Sequence, residues 1–123
     1  MATVDVKSKE FEALIAKGGT VLVDFWAAWC GPCRSFAPIY EAASEKHTEM
    51  IFAKIDTEAE QEIAAAAGIT SIPTLMIFRD GILLFSQPGA LPAAALEDVI
   101  GKVAALDMDE IRKEIALEES KTQ

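Results

Sequence analysis

The sequence predicts an α/β domain: a parallel sheet covered by helices on both faces, with an antiparallel hairpin at one edge. Three observations predict it. Short β-branched and aromatic runs alternate with amphipathic stretches along the chain, which is the pattern of βαβ units. Residues 20–27 are nearly all apolar, as a central strand buried on both faces must be. Two later apolar runs flank Arg79-Asp80-Gly81, a hairpin signal.

The elements follow in order. Val4 and Val6 alternate with polar neighbours, a short strand. Ser8 can cap a helix that runs through Phe11, Leu14 and Ile15 and stops at Gly18-Gly19. After the 20–27 strand comes Trp29-Cys30-Gly31-Pro32-Cys33, then a helical stretch from about 33 to 47. Pro38 lies inside that stretch and should kink it, because proline lacks a backbone donor and crowds the preceding turn. Residues 50–55 read as a second buried strand. Thr57 and Glu60 form a capping-box pattern ahead of an Ala-rich helix ending at Gly68. Residues 74–78 and 82–85 are the hairpin strands, and Pro88-Gly89 is a loop. A helix from Pro92 then places Leu96, Val99, Ile100 and Val103 on one face. Phe25, Phe52, Phe78 and Phe85 read as core. Tyr40 and His47 read as surface or partial packing.

Composition bounds the function. A chain of 123 residues makes one domain, and 51% apolar residues can fill its core. Eleven basic residues against 20 acidic ones give a net charge of −9, which argues against a nucleic-acid surface or adhesion to an anionic membrane. No window approaches the ~20 apolar residues of a membrane span, and the first residues lack the apolar stretch of a secretory leader. The expected location is the cytoplasm, although a processed chain would read the same.

Cys30 and Cys33 are the only cysteines and His47 the only histidine. A disulfide closing so short a loop adds little chain-entropy stabilisation. Two thiols also fill only half of a tetrahedral zinc site. A reactive pair is the better reading. A helix starting at this motif aims free N–H groups and a positive dipole end at Cys30, favouring a thiolate there. Pro32 suits the first turn, where its missing N–H has no helical partner, and Gly31 leaves room for another chain. Cys33, one turn in, should be buried and protonated. Cys30 is thus expected to be accessible and attacking, and Cys33 sheltered and resolving. The plainer reading is two reduced thiols at a helix start.

FWAAWCGPC followed by Arg34, then SIPT, then PGAL, resembles the thioredoxin family over residues 3–106. KIDTEAEQEIAAAAGITSIPT is similar to the second thioredoxin type of many bacteria, but the four extra cysteines of that type's N-terminal zinc module are absent, which excludes zinc there. The resemblance implies a thioredoxin fold: a central mixed five-stranded sheet flanked by helices. It also implies a protein dithiol–disulfide oxidoreductase without cofactor or metal, monomeric, acting on protein disulfides and recycled by an NADPH-dependent thioredoxin reductase. The Gly31-Pro32 pair fits a reductant of this family.

Further site residues follow. Asp24 is an acid within a buried-strand pattern, costly to ionise there. The resemblance puts it behind Cys33 as a general base, with Lys54 tempering its charge. The plainer readings are a solvent-facing strand-end Asp and an ordinary edge Lys. Ile72-Pro73 matches the family's cis-proline loop, whose backbone pairs with an extended substrate. Without the resemblance, a trans proline opening a strand is the better expectation. Trp29 should lie over the motif as an apolar platform and Trp26 should pack beneath it. Gly89 and Ala90 match the loop completing the substrate groove. Pro88 replaces the usual bulky residue there.

Thioredoxin-like sequence covers 1–106, and 107–123 form an extension. Asp107 and Glu110 look like a helix cap, and Met108, Ile111 and Ile115 share a stripe offset from that of the preceding helix. A break near Asp107 and a separate C-terminal helix are expected, either docked on the domain, frayed or contacting a partner. Two functional alternatives remain: a redox-independent binding module using the apolar groove around Trp29, Ile72 and Pro73, and a dimer bridged by a metal or iron–sulfur centre through four cysteines.

Overall fold

Strand β2 (Thr20–Trp26) lies at the centre of a five-stranded sheet in the computed structural model, which describes residues 2–121. The other strands are β1 (Thr3–Asp5), β3 (Ile51–Asp56), β4 (Thr74–Arg79) and β5 (Ile82–Pro88), ordered β1-β3-β2-β4-β5. The helices are α1 (Phe11–Ala16), α2 (Gly31–Lys46), α3 (Gln61–Ala66), α4 (Ala93–Ala105) and α5 (Met108–Lys121). β1 and β2 run parallel to β3. β4 is antiparallel to β2, and β5 to β4. The reversal therefore begins one strand further in than the hairpin edge expected from sequence. The six residues of α3 span only ~9 Å. They cannot carry the chain back along the sheet, so β4 starts where β3 stopped.

Alternation along β2 divides the core. Leu22 faces Phe36, Tyr40 and Ala43 of α2 and Leu96, Ile100 and Val103 of α4. Val21, Val23 and Phe25 face Phe11 of α1, with Ile63 and Ala67 of the α3 segment against them. Phe25 and Phe52 are fully buried, and Phe78 and Phe85 pack at the core margins. Tyr40 corrects the surface reading. It is fully buried, packs between Phe36 (tilted) and Phe52 (edge to face), and donates its hydroxyl to the Ala53 carbonyl at 2.8 Å. His47 is half-buried at the end of α2, 2.8 Å from Glu97 of α4. Helix α2 runs without interruption through Pro38 and begins at Gly31, two residues earlier than expected.

Two caps differ from the sequence reading. Ser8 does not cap its own segment, a 3-10 turn over Ser8–Glu10 that leads into α1. Its hydroxyl instead accepts the Ile63 N–H, and its N–H donates to Glu60. Glu60 is thereby spent on Ser8, and Thr57 donates to the Trp26 carbonyl, so no Thr57–Glu60 capping box forms. A tertiary contact has taken both partners of a local motif.

Asp80 and Gly81 have φ of 53° and 80°, the left-handed pair that a two-residue hairpin requires. The preceding Arg79 does more than lead into the turn. Its Nη1 donates to the carbonyls of Val103 and Leu106 at 3.0 and 2.9 Å, closing the C-terminus of α4. The break at Asp107 is as expected: Asp107 accepts from the N–H groups of Asp109 and Glu110, starting α5. Met108 is buried and Arg112 lies 3.6 Å from Asp80, whereas Ile115 and Leu117 are exposed. α5 is docked at its first turn and projects beyond it.

Arg79 thus links the hairpin to the end of α4. A cation at a helix C-terminus with charge-assisted hydrogen bonds stabilises by about 1–2 kcal/mol. Arg79→Met should lower the unfolding free energy by that amount, read as a lower urea midpoint with an unchanged m-value. An unchanged midpoint would mean that these bonds add nothing over solvent.

Candidate redox site

β2 delivers the chain to the motif, and two bonds pin the turn that follows. The Cys30 N–H donates to the Ala27 carbonyl at 3.2 Å, and Arg34 Nη1 to the Ala28 carbonyl at 2.8 Å. Cys30 is the N-cap of α2, with extended backbone, and its Sγ accepts the Cys33 N–H at 3.2 Å. A sulfur thus takes the place that a Ser or Asp oxygen usually fills at a helix start. Gly31 and Pro32 occupy the first two helical positions and are exposed, and a Cβ at Gly31 would meet nothing within 4 Å. The rim of the site is open to a second chain there.

Cys30 and Cys33 form a disulfide, and each is only 3% exposed. For the oxidised protein, this corrects the expected difference in accessibility. Both sulfurs pack in a small cluster with Ala27, Trp26 and Ile72. The asymmetry lies in their surroundings. Cys30 Sγ receives the helix N–H and lies 3.7 Å from the Ile72 carbonyl oxygen. A disulfide sulfur has no proton to give that oxygen, whereas a thiol has one.

The Ile72-Pro73 peptide is cis, as the family resemblance implies. The Thr74 hydroxyl donates to the Ser71 carbonyl at 2.6 Å, and the Gly89 N–H to the Pro73 carbonyl at 2.7 Å, so the loop is held from both sides. Gly89 has φ 99°, in the left-handed region that favours glycine, and Gly89 and Ala90 are exposed beside Pro73. Pro88 ends β5 opposite Thr74. Trp29 is 66% exposed and, with Ile72, Ser71, Glu58 and Gln61, lines an open groove of about 350 Å³. Trp26 is half-buried, as expected for packing beneath the motif.

Asp24 is 1% exposed, and neither carboxylate oxygen has a hydrogen-bond partner. The solvent-facing reading of Asp24 is therefore wrong. Burial pushes its carboxyl up from 3.8 to about 7, while Lys54, its neighbour in register on β3, pulls the other way. Lys54 is half-buried, with Nζ 4.9 Å from the centre of the Trp26 ring. Tyr40 stands on the same side of the sheet. Burial, and then the charge of Asp24, hold its phenol well above the ordinary range. Sequence reasoning missed Tyr40, Arg34, Thr57 and Thr74 as supports of the site. The spacing Phe36, Tyr40, Ala43 on one helical face carries the signal for Tyr40. The hydroxyl contacts have no sequence signature.

The raised pKa of Asp24 makes stability depend on pH. Below about 3.8 the carboxyl is protonated in both states and costs nothing. Between 3.8 and about 7 the unfolded chain ionises while the folded one keeps its proton, so stability falls as pH rises. Above about 7 the cost is constant at roughly 4 kcal/mol. Asp24→Asn should therefore be more stable than the natural protein at about pH 8, with the gain shrinking toward zero near about pH 3.5. The buried amide forfeits part of the gain, so urea titrations at both pH values read the difference. A gain independent of pH contradicts an ionisable, unpartnered Asp24.

The thioredoxin family profile matches residues 2–102. The chain is 53% identical over 115 residues to a thioredoxin-type protein of Streptomyces coelicolor, covering 94% of this chain and 86% of that one. It is 38% identical over 103 residues to the thioredoxin of Bacillus subtilis, covering 83% and 98%. Among solved structures, a point-mutant thioredoxin from Halobacterium salinarum superposes with a TM-score of 0.78 at 34% identity, covering 85% of this chain and 93% of that one. Fold, motif and relatives agree: the chain belongs to the thioredoxin family, and its Cys30–Cys33 disulfide is the oxidised half of a dithiol–disulfide couple.

Proposed function

We propose that this chain reduces disulfides of protein substrates and is recycled by an NADPH-dependent thioredoxin reductase in the cytoplasm. The observation that carries the reading is a disulfide whose first sulfur caps a helix and sits against the Ile72 carbonyl, beside an exposed rim of Trp29, Gly31 and Pro32. In the reduced protein, the Cys30 thiolate attacks one substrate sulfur, and the other substrate sulfur leaves as a thiolate. The Cys33 thiolate then attacks Cys30 Sγ, releasing the second substrate thiolate and forming the Cys30–Cys33 bond. Two electrons pass to the substrate, and the reductase returns them.

The other residues take supporting roles in this proposal. Asp24 accepts the Cys33 proton as general base, since a carboxyl titrating at about 7 exchanges protons at physiological pH. Lys54 moderates its charge. Ile72 offers backbone groups to an extended substrate segment, and Trp29, Pro73, Gly89 and Ala90 frame that segment. Residues 1–106 act as the redox domain, with 107–123 an appended helix. Among the described residues, no helix is long and apolar enough to cross a membrane.

Three variants test the assignment. Cys33→Ser should accumulate mixed disulfides through Cys30 when reduced and mixed with lysate. Cys30→Ser should lose all NADPH-coupled reduction of a generic protein disulfide. A Cys30→Ser, Cys33→Ser protein that kept full cellular function would replace this reading with a redox-independent binding role.

A further inference from the structure

We propose that Trp26 is a positioning residue for the redox reaction: the face of its indole holds the Lys54 ammonium and so keeps that cation from pairing with the buried Asp24 carboxyl. The proposal rests on the assignment of Asp24 as the base for Cys33.

The geometry starts from strand register. Asp24 and Lys54 are direct neighbours on parallel strands, which lie about 4.8 Å apart, and Trp26 follows Asp24 on the same face of β2. From that position a lysine can reach either the carboxyl or the indole. It takes the indole: Nζ is 4.9 Å from the ring centre, and neither Asp24 oxygen has a hydrogen-bond partner. An ammonium is drawn to the negative face of an aromatic ring, most strongly to that of Trp.

The indole itself supports this role. Its Nε1 is buried and also lacks a hydrogen-bond partner, so no polar contact of the ring edge sets its orientation. What the ring presents is its faces, one environment being Lys54 and another the Ala27, Cys30, Cys33 cluster. The backbone beneath it is fixed, because the Trp26 carbonyl accepts both the N–H and the hydroxyl of Thr57, at 2.9 and 3.0 Å. A rigid ring next to a flexible lysine sets the position of the charge.

The consequence is chemical. A direct Lys54–Asp24 pair would hold Asp24 as a carboxylate at all physiological pH values, leaving it a weak base for Cys33. With the ammonium on the indole, the two charges interact at a distance, and burial keeps the carboxyl able to take up a proton. Tyr40 is the other titratable group that interacts with Asp24, and uncharged Leu75 is its neighbour in register on β4. Lys54 also has Asp5 in register on β1 and Asp56 two residues along β3. Asp5 and Asp56 themselves are unchanged in every variant below.

The experiment is a double-mutant cycle read by the carboxyl carbon resonance of Asp24 in the oxidised full-length protein. Trp26→Leu should lower the Asp24 titration midpoint by about one pH unit, a tenfold loss of proton affinity. In a Lys54→Met background, the same Trp26→Leu change should move it by much less. Trp26→Phe keeps a smaller π face, folds with less disturbance, and should give an intermediate shift that again vanishes with Lys54→Met. Equal shifts with and without Lys54 would mean that the indole acts only by excluding water from Asp24, and would overturn the proposal. So would no shift in any variant. The readout needs no turnover, so a failure here is distinct from a failure of the Cys33→Ser trap.

Discussion

One hydrogen bond organises the site: the Cys33 N–H at the start of α2 is donated to the sulfur of Cys30. A helix start has N–H groups that no carbonyl of its own can satisfy. Placing a cysteine at the cap turns this structural deficit into a preference for sulfur that carries negative charge. The rest of the fold supports that placement. Strand β2 ends where the cap must sit, the Arg34 and Ala27 contacts fix the turn, and the Ile72-Pro73 loop closes the other side.

The same sheet holds a second feature, an acid with no hydrogen-bond partner in the core. Asp24 is costly to bury, no hydrogen bond satisfies it, and the charge of Lys54 offsets only part of the cost. Large buried side chains on the same face, Leu22, Phe36, Tyr40 and Phe52, contribute the stabilisation that makes the cost tolerable, each about 1.5–3 kcal/mol. Stability is traded for a group that exchanges protons near neutrality. Trp26 and Lys54 extend the same logic, with an aromatic face governing where the nearest positive charge rests.

Much of the fold is legible in the sequence, because it rests on periodicity and turn chemistry. The apolar run at 20–27, the Asp80-Gly81 turn and the Asp107 cap each carry a local physical signal, and each forms. What the sequence hides depends on tertiary contacts. Ser8 and Glu60 read as caps for their own segments, but they bond to each other's neighbourhood across 52 residues. Tyr40 reads as surface or partial packing; the Ala53 carbonyl that satisfies its buried hydroxyl lies on another element. The direction of β4 follows from the shortness of α3, a boundary that sequence patterns place poorly.

At the site, residue identities are legible and their burial is not. The motif names both cysteines and suggests an exposed Cys30, yet the disulfide form covers it as fully as Cys33. The difference between the sulfurs is therefore electrostatic, set by the helix N–H, and must emerge on reduction. The most direct test is iodoacetamide alkylation of the reduced protein, followed across pH with each cysteine resolved by mass. Cys30 should react rapidly at neutral pH while Cys33 stays largely unmodified. Equal, slow reaction of both at neutral pH would contradict a helix-stabilised thiolate at Cys30.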